Sequence, residues 1–354
     1  MTRPRQRVTI VTDLQYGSTG KGLLCGYLAR RDPAITAAVT AWAPNAGHTF
    51  IDAMGRKFVH RQLANSIASP AVREIFLGPG SVIDVVTLAA EIESCRDLIK
   101  RGVRIYAHAN AAVLRDRHVV EEQALLRIGS TQKGASAAVI DKMRRDVSSA
   151  ILAETLSIEL DDIGVTVLDP ERYSHELMQH AEILVEGHQG FSLSVHHGMW
   201  PYTTSRDTST SAILADCAVA FPLETSVWGV LRTFPIRVAN RYDDDGKMIG
   251  FSGPCYDDQL ETTWQALGQK PELTTVTQRV RRVFTYSTRQ IAHATSINGV
   301  DHVFVNFMNY LPPGERWGFI QRVAFDTHVL PPDMLFGYGP TETDVREFND
   351  EEAW

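Results

Sequence analysis

Val8-Thr9-Ile10-Val11, then Gly17-Ser18-Thr19-Gly20-Lys21-Gly22, then Leu23 to Arg30 reads as a buried strand, a glycine-rich turn and the first turns of a helix. Backbone N–H groups and the helix dipole converge where a strand hands over to a helix, and they favour an anion. Lys21 adds a positive charge that can reach phosphates. The spacing Gly-x-x-Gly-Lys-Gly is shorter than the Gly-x-x-x-x-Gly-Lys-Ser/Thr of P-loop ATPases, and glycine is also the default residue of tight turns. By itself the segment leaves a phosphate loop and a plain turn both open.

Outward from this turn, apolar runs of strand length recur at Val8 to Val11, Ala38 to Trp42, Ile75 to Leu77, Val103 to Tyr106, Ile183 to Val185, Val227 to Leu231 and His302 to Val305. Helix-like stretches lie between them at Val82 to Arg101, Val119 to Arg127, Ala135 to Leu156, Thr208 to Val219 and Val280 to Ala294. This alternation predicts an α/β fold with a mostly parallel central sheet flanked by helices. Without an internal repeat, low-complexity tract or long linker, the 354 residues read as a single large domain, 1–354, with insertions. Asn240 to Gly250 reads as a turn between short strands, because the later ligands of a calcium loop are missing.

A hydrophobic fraction of 44% with 22% charged residues is ordinary for a soluble chain, and no apolar run approaches a membrane helix. The net charge of −7 argues against broad nucleic-acid binding while permitting a local basic pocket. Cys25, Cys95, Cys217 and Cys255 show neither metal-ligand nor disulfide spacing and are expected to be reduced thiols. With no signal-peptide core after the basic start, a cytoplasmic location is expected.

Pro44-Asn45-Ala46-Gly47-His48-Thr49 follows one apolar strand, and Glu186-Gly187-His188-Gln189-Gly190 ends another, with Pro201-Tyr202-Thr203-Thr204-Ser205 close behind. Strand ends of open α/β sheets are where ligands collect, and hydroxyls with a glutamine suit phosphate and purine contacts. His196-His197 is read as strand neighbours pointing to opposite faces, which argues against a zinc site. In Thr277-Gln278-Arg279-Val280-Arg281-Arg282, Arg279 and Arg281 read either as a planar fork for a carboxylate or as a solvated basic helix start.

In this order the segments resemble the adenylosuccinate synthetase family, from about residue 8 to residue 343. The glycine loop, Asn-Ala-Gly-His-Thr, Glu-Gly-x-Gln-Gly and an altered arginine-rich loop carry the resemblance. It implies a ligase that joins L-aspartate to C6 of a 6-oxopurine nucleotide, using a nucleoside triphosphate and Mg2+. It assigns the triphosphate to Lys21 with Gly17, Ser18, Thr19, Gly20 and Gly22, followed by Gly47, His48 and Thr49. His48 is the implied general acid, the Gly47 carbonyl and the Ser18 position the implied magnesium ligands, and Gln189 the implied contact near the reacting oxygen. The substrate nucleotide falls to Ser18, Asn45, Ala46, Ser130, Thr131, Gln189, Leu193, Thr204 and Val238, and aspartate to Thr277, Arg279 and Arg281. A homodimer is implied, with Arg144 at the place of the arginine that reaches the other subunit's phosphate site.

Two departures refine this expectation. Ser18 stands where the family has an aspartate that takes the N1 proton and ligates magnesium, which makes room beside C2 for a guanine amino group. Asn306-Phe307-Met308-Asn309 replaces a guanine-reading Thr-Lys-x-Asp, so Asn309 can pair with adenine and Phe307 can pack on it. Asn306, Gly337, Gly339 and Pro340 complete the expected base pocket. Both departures resemble the bacteriophage-type branch of the family, which implies dGMP as substrate, ATP or dATP as donor, and a 2-aminoadenine deoxynucleotide precursor as product. The rival readings are an ordinary synthetase acting on IMP, and a nucleotide-sensing module that lost catalysis with the loop aspartate.

Overall fold

The computed structural model describes residues 6–123, 132–146, 152–220, 224–274 and 278–349. Ten strands form the main sheet. Numbered in chain order they are β1 (Arg7–Asp13), β2 (Ile35–Thr40), β3 (Glu74–Leu77), β4 (Arg104–His108), β5 (Val165–Leu168), β6 (Glu182–Glu186), β7 (Glu224–Arg232), β8 (His302–Asn306), β9 (Met334–Gly337) and β10 (Val345–Glu347). Their spatial order is β10-β9-β8-β7-β1-β6-β2-β3-β4-β5. Every neighbouring pair is parallel except β9 and β10.

Parallel strands are covered on both faces, so their sequences read as nearly continuous apolar runs. On β1, Val8 and Ile10 face a core shared with Tyr173, Leu177, Ile213 and Cys217. Val11 faces the other side, against Leu24, Phe50 and Leu63. A third core joins Leu231, Val303, Val305 and Phe336 to Ile291 and Ala294 of the helix Thr288–Asn298 and to Ile320 and Val323 of the helix Pro313–Thr327. The central strands are thereby clamped, and their C-terminal ends are held in fixed relation along one edge.

The seven expected strands are all present, and β5, β9 and β10 are additions. The expected helices are shorter. Val82–Ile83 pairs with Ala112–Val113, and the helix begins only at Val85, where the Asp84 side chain accepts from the Thr87 N–H. The stretch from Ala135 ends as a helix at Arg144, because Arg145 turns into the left-handed region with φ 58°. Val280 to Ala294 is not one helix: Arg282–Phe284 is a strand, and a helix starts at Thr288 under a Ser287 cap. Arg279 and Arg281 therefore precede a strand, which removes the helix-start reading. Arg241–Tyr242 and Met248–Gly250 pair antiparallel, as expected of the Asn240 to Gly250 turn. His196 and His197 lie in a turn rather than on a strand, and the His197 ring stacks on Phe191 at 5.0 Å.

Candidate active site

The segments leaving β1, β2, β6, β7 and β8 at their C-terminal ends wall a cavity of about 660 Å³. The first is the glycine loop. Gly17 and Gly20 take φ of 88° and 107°, conformations that side chains resist. A Cβ on Gly20 would lie 2.1 Å from the Asn306 Nδ2, and one on Gly22 would lie 2.8 Å from the Thr49 carbonyl oxygen. Glycine is needed at both places because the loop is pressed between the ends of β8 and the His48–Thr49 segment.

The loop is held from beneath by Asp13, a buried carboxylate that the sequence reading passed over. Its Oδ1 accepts from the Gln15 and Gly17 N–H groups at 2.9 and 3.2 Å. Its Oδ2 accepts from the Thr19 hydroxyl and, at 2.9 Å, from the Lys21 ammonium. Lys21 also donates to the Gln189 carbonyl and is itself buried. A buried ammonium needs a partner, and Asp13 is the one Lys21 has under the loop. The Ser18 side chain is exposed to the cavity, at φ 55°. Its carbonyl accepts from Arg232 Nη1 at 3.2 Å.

Arg232 is a second residue the sequence reading missed. Fully buried at the end of β7, it forms a two-point pair with Glu272, including Nη1 to Oε2 at 3.1 Å, and its guanidinium lies 3.8 Å from the Phe307 ring centre. A charged residue closing the apolar run Val227 to Leu231 is the signal that would have found it, because such a charge must be paired.

His48 opens the short strand His48–Ile51 and lines the cavity. Burial, with Lys21, His188 and His60 as secondary causes, holds its pKa well below the usual histidine value. Its ring lies on the Trp42 indole, centres 3.9 Å apart and planes at 27°. Across the cavity Gln189 has φ 54°, and a Cβ on Gly190 would lie 2.2 Å from the Gly17 nitrogen, so these two loops touch backbone to backbone. Next to them, burial raises the Glu186 pKa to about 7 and lowers that of His188 to about 4.

Asn45, Ala46, Gly47, Thr49, Leu193, Thr204 and Val238 also line the cavity, as do Arg279 and Arg281 at its far end. Arg279 is exposed there, whereas burial lowers the Arg281 pKa to about 10. Arg237 and Arg241 line the same end and were not foreseen; each has a buried Nη1 with no hydrogen-bond partner among the described residues. Ser130, Thr131 and Thr277 lie outside the described residues.

Of the residues expected around the donor base, Phe307 lines the cavity, with one face already covered by Arg232. The Asn306 side chain is buried, donating to the Thr19 carbonyl at 3.0 Å and accepting from the Phe307 N–H at 2.8 Å, so it braces the glycine loop. Asn309 is exposed, and it, Gly337, Gly339 and Pro340 are not part of the cavity wall. Arg144 is exposed at the end of its helix, away from the cavity of its own chain.

A model of the adenylosuccinate synthetase family matches residues 10–160 and 146–314. The N6-succino-2-amino-2'-deoxyadenylate synthase of Acinetobacter phage SH-Ab 15497 is 43% identical, over 86% of this chain and 84% of its own length. The enzyme of that name from Salmonella phage PMBT28 is 44% identical, over 96% of this chain and 97% of its own. Among solved structures, the succinoaminodeoxyadenylate synthetase of cyanophage S-2L, bound to dGMP and dATP as an energy donor, superposes with a TM-score of 0.86 at 39% identity, covering 97% of this chain and 95% of that one. Fully ligated adenylosuccinate synthetase from Plasmodium falciparum shares the fold, with a TM-score of 0.74 at 17% identity over 97% of this chain and 100% of that one.

Proposed function

Because the chain belongs to the adenylosuccinate synthetase family, we propose that it is the ligase that joins L-aspartate to C6 of dGMP, with ATP or dATP as phosphoryl donor. The products are N6-succino-2-amino-2'-deoxyadenylate, phosphate and the nucleoside diphosphate. Ser18 carries the choice of dGMP. The glycine loop offers a small hydroxyl side chain to the cavity at this place, and the loop's nearby carboxylate, Asp13, is buried and spoken for by four donors. A carboxylate facing C2 would crowd the 2-amino group, whereas a serine leaves room and can accept from it.

The oxygen on C6 is a poor leaving group. In the first step the O6–phosphorus bond forms as the bridging bond to the γ-phosphoryl breaks, and the N1 proton passes to a carboxylate of the aspartate substrate, since Ser18 offers no base. In the second the aspartate amine bonds to C6 and loses a proton, while the C6–O bond breaks to release phosphate. Lys21, fixed by Asp13 and the Gln189 carbonyl, places a positive charge at the transferring group. His48 is the acid beside that group, and its low intrinsic proton affinity suits a ring that gains a proton only when phosphates arrive. Arg279 and Arg281 hold the carboxylates of aspartate, and Arg144 serves the partner's site in a homodimer.

The family's magnesium fits the donors present. Gly47 backbone and the Ser18 hydroxyl offer hard oxygen at the cavity wall, and Mg2+ is commonly held by few protein atoms together with substrate phosphates. When bound, it would offset the negative charge of the phosphates during transfer.

Phosphate release tests this reading, with dGMP and IMP each combined with ATP, dATP and GTP in the presence of aspartate and magnesium. Turnover of dGMP with an adenine donor is expected. Activity confined to IMP with GTP would overturn the assignment, and tight dGMP binding without turnover would point to a sensor.

A further inference from the structure

The imidazole plane of an acid histidine has to be fixed, because the outer torsion of a histidine side chain has broad, weakly separated wells. The usual device is a hydrogen bond at the nitrogen not used in the chemistry. In this chain the His48 Nδ1 is buried and has no hydrogen-bond partner among the described residues. What the ring does have is a face. It lies on the Trp42 indole at 3.9 Å between ring centres, tilted by 27°.

Trp42 is well suited to act as a fixed platform. It is buried, its indole N–H donates to the Glu186 carbonyl at 2.8 Å, and its own carbonyl accepts from the Val82 N–H at 2.9 Å. The Glu186 side chain is in turn held by the Ser66 N–H and hydroxyl at 2.8 and 2.6 Å. One residue back, the Ala41 carbonyl accepts from Arg206 Nη1 at 2.8 Å. The indole is thus tied to β6 and to the segment after β3.

We propose that Trp42 is the positioning residue for His48, its indole face setting the imidazole plane in place of a hydrogen bond at Nδ1. A rotation of the ring would break the stack and forfeit its face-to-face contact, so the platform resists it. This inference rests on the reading of His48 as the acid. It adds a requirement outside the loop motifs: an aromatic face at the end of β2.

The test is a double-mutant cycle read in kcat, in KM for each substrate, and in a ring contact. Trp42→Leu is expected to lower kcat by ~10- to 100-fold, the scale of a misaligned catalytic group, with KM for dGMP and for the triphosphate within ~3-fold. Trp42→Phe, which keeps a face, should stay within ~3-fold of the natural protein. In a His48→Asn background, Trp42→Leu should cost no more than ~2-fold, because its effect runs through His48. An equal cost in both backgrounds, a loss lying wholly in KM, or a phenylalanine no better than leucine overturns the proposal. Should Trp42→Leu not fold, cross-relaxation between the His48 and Trp42 ring protons in the natural protein decides: contact supports the platform and its absence overturns it. Unchanged turnover in His48→Asn alone would instead remove the acid reading on which the proposal stands.

Discussion

The two ends of the cavity are built differently. At the glycine-loop end the charged groups are paired: Lys21 with Asp13, Arg232 with Glu272, and the loop backbone with Asp13 and Asn306. At the arginine end the cations are short of acids. Arg279 is exposed, Arg237 and Arg241 each keep a buried, partner-free Nη1 among the described residues, and Arg281 shares Glu272 with Arg232 while its Nε donates to the Leu273 carbonyl at 3.1 Å. A preorganised end suits phosphoryl transfer, in which positioned charges meet charge as it develops. An end rich in uncompensated cations suits capture of a dianion that supplies the missing charge itself. The difference teaches that chemistry and aspartate binding can be damaged separately.

The largest effect is expected where the built end is broken. Lys21→Ala removes the central cation and leaves Asp13 buried without its counter-charge, so kcat should fall by ~10³-fold or more. Single-turnover phosphoryl transfer checks this, and a loss confined to KM for aspartate would show that the two ends are not distinct. The second break is at the open end. Arg281→Leu should raise KM for aspartate by ~10- to 100-fold while KM for dGMP moves little, as expected when one charge-assisted pair is lost. Steady-state kinetics with each substrate varied in turn measures the split, and an equal rise for dGMP would join the ends into one site. A smaller effect is expected where the substrate base is read. Ser18→Asp should shift the dGMP-to-IMP ratio of kcat/KM towards IMP by about tenfold, through crowding at C2. An unchanged ratio would place C2 recognition elsewhere.

Much of the built end was legible because glycine and strand punctuation are local. Gly17, Gly20 and Gly22 could be read as a turn from the chain itself, although what forbids a side chain at Gly20 and Gly22 is Asn306 and Thr49, and several of the seven expected strands were bounded by glycine or asparagine. What escaped were the side-chain pairings, which residue types alone do not reveal whether the partner lies a few positions off or far along the chain. Asp13 acquires its meaning from Lys21 and the turn above it, Trp42 from His48 and Glu186, and Arg232 from Glu272. The Asn306 amide likewise has a partner that its motif does not announce, the Thr19 carbonyl 287 positions away. Over-long helix expectations arose where apolar and charged residues continued the helical spacing across Asp84 and Arg145, where a side-chain cap and a left-handed residue set the boundaries.

The smallest effect concerns the buried pair Glu186 and His188 and is a matter of stability. Glu186 is fully buried, and its carboxyl titrates at about 7 in the folded protein against an ordinary value of 4.5. The folded state therefore holds this proton more tightly than the unfolded state. The resulting stability is complete below the unfolded value and is lost as pH rises through that window to the folded one. His188, titrating at about 4 when folded against an ordinary 6.5, acts with the opposite sign: its contribution is lost as pH falls through that range. In the natural protein the two slopes oppose each other between roughly pH 4.5 and 6.5. Glu186→Gln removes one of them, so its stability should climb more steeply with pH across that interval, by about 1–2 kcal/mol in total. Urea unfolding at a series of pH values measures the slope. A profile parallel to that of the natural protein would mean that Glu186 is ionised in its pocket, and that the carboxylate is held there by Ser66 at full charge.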